Sequence, residues 1–87
     1  MLPKIDNYGR YTNSNYGMHT MQVTIGCCTL YFSYKTLIAF DSPTTGLVCR
    51  ENEWGPTTGK HMNWIQDKKK RVSGEEFTKL WATLPIA

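Results

Sequence analysis

In the stretch "WGPTTGKHMNWI", Trp54 to Ile65, two glycines stand ahead of a lysine and a histidine, the ingredients of a phosphate-binding loop. A Walker A loop needs G-x-x-x-x-G-K-[ST], because that spacing lets successive backbone N–H groups wrap the phosphates while the last hydroxyl ligates magnesium. Here Gly55 and Gly59 enclose only three residues, and His61 stands where Ser or Thr is required. A P-loop also follows a buried parallel strand, whereas the residues before Trp54 read as an antiparallel meander. The segment is not a Walker loop.

A weaker chemistry survives. If a short helix starts here, its unpaired N–H groups and the hydroxyls of Thr57 and Thr58 form a seat for an anion, with Lys60, His61 and Asn63 close by as candidate ligand-binding residues. The same residues have a plain structural use, as helix caps and local backbone partners. Catalysis is harder to place. His19 and His61 are the only histidines, and no nucleophile motif accompanies either. Asp41, Glu51 and Glu53 are carboxylates without a paired arrangement, and Glu75 and Glu76 are explained by the start of a helix. No catalytic residues are assigned.

The run Lys68-Lys69-Lys70-Arg71 is a candidate grip for a nucleic-acid backbone, with Tyr31, Trp54 and Trp64 as stacking surfaces if exposed. It also reads simply as a solvated connector. Cys27, Cys28 and Cys49 are odd in number, and none sits in a C-x-x-C pair or a zinc-type spacing. Adjacent cysteines in a strand face opposite ways, so at most one of Cys27 and Cys28 can meet Cys49. Three reduced thiols acting as small apolar residues are expected, with no metal and no cofactor.

The elements that must carry these residues are legible from periodicity. Met21, Val23 and Ile25 alternate with polar neighbours, as in a half-buried strand, and Gly26-Cys27 supplies a tight turn. Cys28 to Tyr34 alternates again, and Thr36 to Phe40 holds a continuous apolar run that suits a covered strand. Asp41 to Gly46 is a turn by chemistry, and Leu47 to Asn52 a fourth strand in either of two registers. Beyond Pro56, a short helix capped by Thr57 or Thr58 runs to about Ile65, weakened by Gly59. After a charged connector, Ser73 and Glu76 have capping-box spacing, and Phe77, Leu80, Trp81 and Leu84 recur at helical intervals until Pro85. The predicted architecture is α+β: an antiparallel meander of three to four strands followed by a short helix and a C-terminal helix packed on the sheet. Residues 1–17, polar and bearing Tyr8, Tyr11 and Tyr16, read as a flexible N-terminal arm, and residues 18–87 as a single small domain.

With 87 residues the chain supports one small core, since a domain of this size buries only about 60–65% of its unfolded surface. Hydrophobic residues at 40% and aromatics at 13% argue for a folded globule. The net charge of +3 permits a nucleic-acid partner without demanding one. The N-terminus shows no apolar signal region and the chain no membrane-length apolar run, so a soluble, cytoplasmic protein that does not engage membranes is expected.

"LYFSYKTLIAF" followed by "NEWGPTTGKHMN" resembles a group of short uncharacterised proteins found in phages and other prokaryotic genomes, whose pattern is SY-x-T-x-(I/V)-A, then W or Y, then S-x-TT-x-x-H-x-N. The match runs through Ser33, Tyr34, Thr36, Ile38, Ala39, Trp54, Thr57, Thr58, His61 and Asn63, over roughly Met18 to Ile65. Gly55 replaces the usual serine. The resemblance brings no activity, but it implies a small mobile-element protein. The expected function is therefore a non-enzymatic binding protein, an inhibitor or accessory factor such as an anti-defence protein, contacting a host or defence-system protein. The alternative is a nucleic-acid or nucleotide binder using the TTGKH loop and the KKKR run.

Overall fold

The computed structural model describes residues 2–9 and 20–84. Five strands, β1 (Lys4–Asp6), β2 (Thr20–Ile25), β3 (Cys28–Ser33), β4 (Thr36–Ser42) and β5 (Gly46–Cys49), form one antiparallel sheet in chain order. Two helices follow, α1 (Pro56–Ile65) and α2 (Gly74–Trp81), joined through a 3-10 turn at Lys68–Lys70. The class is α+β as expected, with one strand more than the three to four predicted. The extra strand lies in the segment read as an arm: three residues carry no periodic signal, and pairing with β2, Lys4 opposite Thr24 and Asp6 opposite Gln22, orders them. Behind it the Asn7 amide donates to the Thr20 carbonyl. The Tyr8 hydroxyl donates to the Phe32 carbonyl at 2.9 Å, and its ring is buried. Tyr11, Tyr16, His19 and Pro85 lie outside the described residues.

The turns follow from residue chemistry. Ile25 pairs with Cys28, leaving Gly26-Cys27 as a two-residue loop in which Gly26 takes the positive φ (+59°) that such a hairpin demands at its first position. At the β4–β5 turn the Ser42 hydroxyl accepts from the Thr45 N–H at 3.1 Å. The β3–β4 loop differs: Tyr34, with no glycine's freedom, sits at φ +57°. That conformation costs about 1–2 kcal/mol in a residue with a Cβ, so its neighbours must hold it.

The meander has two covered faces. Leu30, Phe40 and Val48 pack against Phe77 of α2 and against Leu84, with the Phe40 ring 5.0 Å from Phe77 and 5.8 Å from Trp81. On the other face Ile38, Ala39 and Cys49 pack with Met62 of α1, flanked by Tyr31 and Ile65. A bulge makes this possible. Tyr31 pairs with Ala39 but Phe32 with Leu37, so Ile38 is the extra residue and joins Ala39 on the α1 side. Both registers offered for β5 hold at once, Val48 facing α2 and Cys49 facing α1, because the sheet is covered on both sides. Cys28 shares a face with Leu30 and Cys49 lies on the opposite one, so the two do not meet, and all three cysteines are free.

At α2 the expected cap is present, the Ser73 hydroxyl accepting from the Glu76 N–H at 3.2 Å. At α1 it is not. Gly55 is the N-cap, with no side-chain cap bond, and Pro56 opens the helix where its missing N–H costs nothing. Thr57 and Thr58, expected as caps, both lie inside the helix. Among the described residues, no helix is long and apolar enough to cross a membrane.

Candidate functional site

Thr58 and His61 are three residues apart on α1, which puts both side chains on one face, and that face looks at the end of β3. Ser33 closes β3 on the same side of the sheet as Tyr31, by strand alternation. Its Oγ lies 3.0 Å from Thr58 Oγ1 and 2.7 Å from His61 Nδ1. The three side chains are buried, Ser33 at 1% exposure and His61 at 0%. A hydroxyl has one proton to give and room to accept. Either Ser33 donates to Nδ1 and accepts from Thr58, or Nδ1–H donates to Ser33, which passes its own proton toward Thr58. In either arrangement the Ser33 hydroxyl is shared between Nδ1 and the Thr58 hydroxyl.

Aromatic rings enclose the imidazole. Tyr8 stands edge-on to it, centroids 6.3 Å apart, and edge-on to Tyr31 at 5.4 Å. Tyr34 lies 6.2 Å from it at a tilt of 39°, which accounts for the turn's unusual backbone: the positive φ delivers this ring to His61. A serine bonded to a histidine has the outline of a nucleophile and its base. A nucleophile must be reached, however, and this hydroxyl is sealed in the core and shared with Thr58. In this conformation the trio ties α1 to the sheet.

The five candidate ligand residues are therefore divided. Thr58 and His61 point inward, Thr57 is half-buried, and Lys60 and Asn63 are exposed. Of the five, Asn63 meets the basic run, through its bond with Arg71. It lines a groove of about 510 Å³ together with Glu51, Asn52, Gly59, Lys68 and Arg71. The groove is built by the chain's return after α1. Val72 N–H donates to the Cys49 carbonyl at 2.9 Å and Glu51 N–H to the Val72 carbonyl at 2.8 Å, laying the segment parallel to the end of β5.

Arg71 is fixed by three hydrogen bonds to two partners. Its Nε and Nη2 donate to the Gln66 carbonyl at 3.3 and 3.2 Å, satisfying the C-terminal end of α1, and Nη2 also donates to Asn63 Oδ1 at 2.6 Å. Asn52 is equally fixed, giving its amide N–H to the Gly55 carbonyl and accepting from Trp54 N–H. Gly59 lets α1 approach it: a Cβ there would stand 3.0 Å from Asn52 Nδ2. Burial pushes the Cys49 thiol up to about 11, the Arg71 charge opposing the shift in part. Lys68, Lys69 and Lys70 are exposed, and among the described residues neither Glu51 nor Lys68 enters an ion pair. Beside the groove, the Arg50 guanidinium lies over the Trp54 ring at 4.8 Å and pairs with Glu53 at 3.0 Å.

Sequence reasoning had no place for Asn52 in a site. Its signal was the N-x-x-G spacing to Gly55, a side chain able to close a turn on its own loop. Ser33 was visible only through the pattern shared with Thr58 and His61. Among the described residues, no cluster of His, Cys, Asp and Glu could hold a metal ion.

Comparison with curated proteins and with solved structures returns no match to either. A family model does match, over residues 3–79, a span that takes in every strand, the Ser33–Thr58–His61 tie, the groove and most of α2. The chain belongs to that family, a family of unknown function designated DUF8033.

Proposed function

We propose that this protein is a non-enzymatic binding protein of phage or mobile-element type, an inhibitor or accessory factor that contacts a host or defence-system protein. One observation carries the reading. The α1 helix turns Thr58 and His61 into the core and shows Trp64 outward at 54% exposure, with Trp54 exposed just ahead of it. Tryptophan is the side chain most enriched among residues that dominate protein interfaces, because it buries a large rigid area at small entropic cost. The mobile-element assignment rests on the resemblance of the sequence pattern. The test is to capture a partner from bacterial lysate, purify it, and measure the reconstituted complex by light scattering and titration. A stoichiometric complex weakened about tenfold or more by Trp64→Ala is expected. No complex with the purified partner, or a hydrolytic or transferase activity lost with His61→Ala, overturns it.

A second reading is favoured by the groove: nucleic-acid or nucleotide contact through the exposed Lys68–Lys70 turn. Affinity for single-stranded nucleic acid should then fall steeply with salt and disappear with Lys69→Glu/Lys70→Glu.

A further inference from the structure

The hydrogen-bonding inventory of the groove shows what it has left to offer. Arg71 spends Nε–H on the Gln66 carbonyl and both Nη2 protons on Gln66 and Asn63, so its two Nη1 donors are left with no acceptor among the described residues. Asn63 Oδ1 accepts from Arg71, which orients the amide and leaves its NH2 group as a donor. Lys68 adds an ammonium to the lining. Glu51 has its backbone N–H engaged by Val72, while its carboxylate takes part in no hydrogen bond or ion pair among the described residues. The groove therefore offers several donors with two positive charges, and one acceptor-only group with a negative charge. About 510 Å³ is within the range of small-molecule sites.

A simple anion would satisfy the donors and be repelled by Glu51. A ligand complementary to both needs anionic oxygens at one end and adjacent N–H donors at the other. We infer that the groove binds a guanosine phosphate unit, the phosphate held by Arg71 and Lys68 and the N1–H and N2–H edge of guanine by the Glu51 carboxylate. Adenine presents a lone pair at N1 where guanine presents a proton, so a carboxylate discriminates between them. Arg71 is suited to the phosphate because its fork is already fixed by Gln66 and Asn63, which reduces the ordering cost on binding. The inference rests on the second reading above and gives it a ligand and a site. It leaves Lys69 and Lys70 outside the groove.

The test titrates the purified chain with GMP, AMP, inorganic phosphate and short single-stranded oligonucleotides with or without guanine, following the Gly59 and Asn63 amide resonances. Glu51 and Lys68 are exposed, so Glu51→Gln and Lys68→Glu should fold as the parent does, which thermal unfolding checks. GMP is expected to bind about tenfold or more tightly than AMP. Glu51→Gln should reduce that ratio to near one, and Lys68→Glu should weaken GMP and AMP alike. A guanine-containing strand that binds more tightly than GMP identifies the nucleic-acid source, and equal affinity identifies the free nucleotide. Equal binding of phosphate, AMP and GMP, or no shift of these amides at about 1 mM GMP, overturns the inference. Salt-sensitive binding of long strands without GMP binding would overturn it while leaving the second reading in place.

Discussion

Ser33 Oγ lies 2.7 Å from His61 Nδ1, and this contact joins the last residue of β3 to the middle of α1. The two positions are 28 residues apart, yet each belongs to a short pattern, Ser33-Tyr34-x-Thr36 and Thr57-Thr58-x-x-His61. The patterns face each other in space because one ends a strand and the other occupies a helix face directly over it. Their polar residues thus satisfy one another inside a small core, where an unpaired hydroxyl or imidazole would be costly.

Removing one partner should be worse than removing both. Ser33→Ala leaves His61 and Thr58 without their shared hydroxyl in a buried site, at a cost of about 1–3 kcal/mol. His61→Ala adds a cavity between two tyrosine rings and should cost about 2–4 kcal/mol. The double variant should then cost less than the sum of the two. Urea unfolding of the four proteins measures the cycle; simple additivity would mean the 2.7 Å contact contributes nothing.

Tyr34 gives a test of stored strain. At φ +57° a β-branched residue is far less tolerable than glycine, so Tyr34→Val should be less stable than Tyr34→Gly by about 1–2 kcal/mol, although valine is the better strand former elsewhere. Thermal unfolding of both variants decides this. Valine as stable as glycine would show that the turn relaxes to a different backbone.

What the sequence shows and what it hides divide along a physical line. The alternation in Met21–Ile25 and Cys28–Phe32, and the helical spacing of Phe77, Leu80 and Trp81, are local signals of burial, and the corresponding elements stand where they were expected. The Lys4–Asp6 strand was hidden because its order comes from β2 and not from its own residues. The bulge at Ile38 was hidden for a similar reason: a continuous apolar run reports burial without telling one face from two. In the site, His61 and Thr58 stood out by type, but their partner Ser33 is distant in sequence. The groove needs Arg71 and Val72 folded back along β5, a relationship no periodicity reports.

Gly59 lies within α1, where alanine would ordinarily add about 1 kcal/mol of stability. Here the added Cβ would meet Asn52 Nδ2 at 3.0 Å, and Asn52 is held by its bonds to Gly55 and Trp54. Gly59→Ala should therefore show no gain or a small loss. In an Asn52→Ala background the contact is gone, and the same substitution should stabilise by about 0.5–1 kcal/mol. Chemical denaturation of the pair of backgrounds checks it; an equal gain in both would mean that Asn52 moves aside freely.

Cys49 sets a direction for stability at alkaline pH. Its thiol is neutral and buried against Met62, with a folded pKa pushed up to about 11 from an ordinary value of 9.0. Below pH 9 both folded and unfolded thiols are protonated, and the group contributes no pH dependence. Between about 9 and 11 the unfolded thiol loses its proton while the folded one keeps it, so the unfolded state binds fewer protons and stability falls as pH rises. Burial raises Tyr31 from its ordinary 10.0 in the same sense, with Asp41 adding to the shift, so part of the loss will remain without Cys49. Cys49→Ala should flatten the decline between pH 9 and 10 while lowering stability at pH 7 through the cavity it leaves. The chemistry of the thiols gives an independent reading. Cys27 is exposed and should react with maleimide in the folded protein, whereas Cys28 and Cys49 should react only on unfolding. Rapid labelling of Cys49 at pH 8 in the folded state would mean that α1 opens from the sheet far more readily than its buried tie to Ser33 allows.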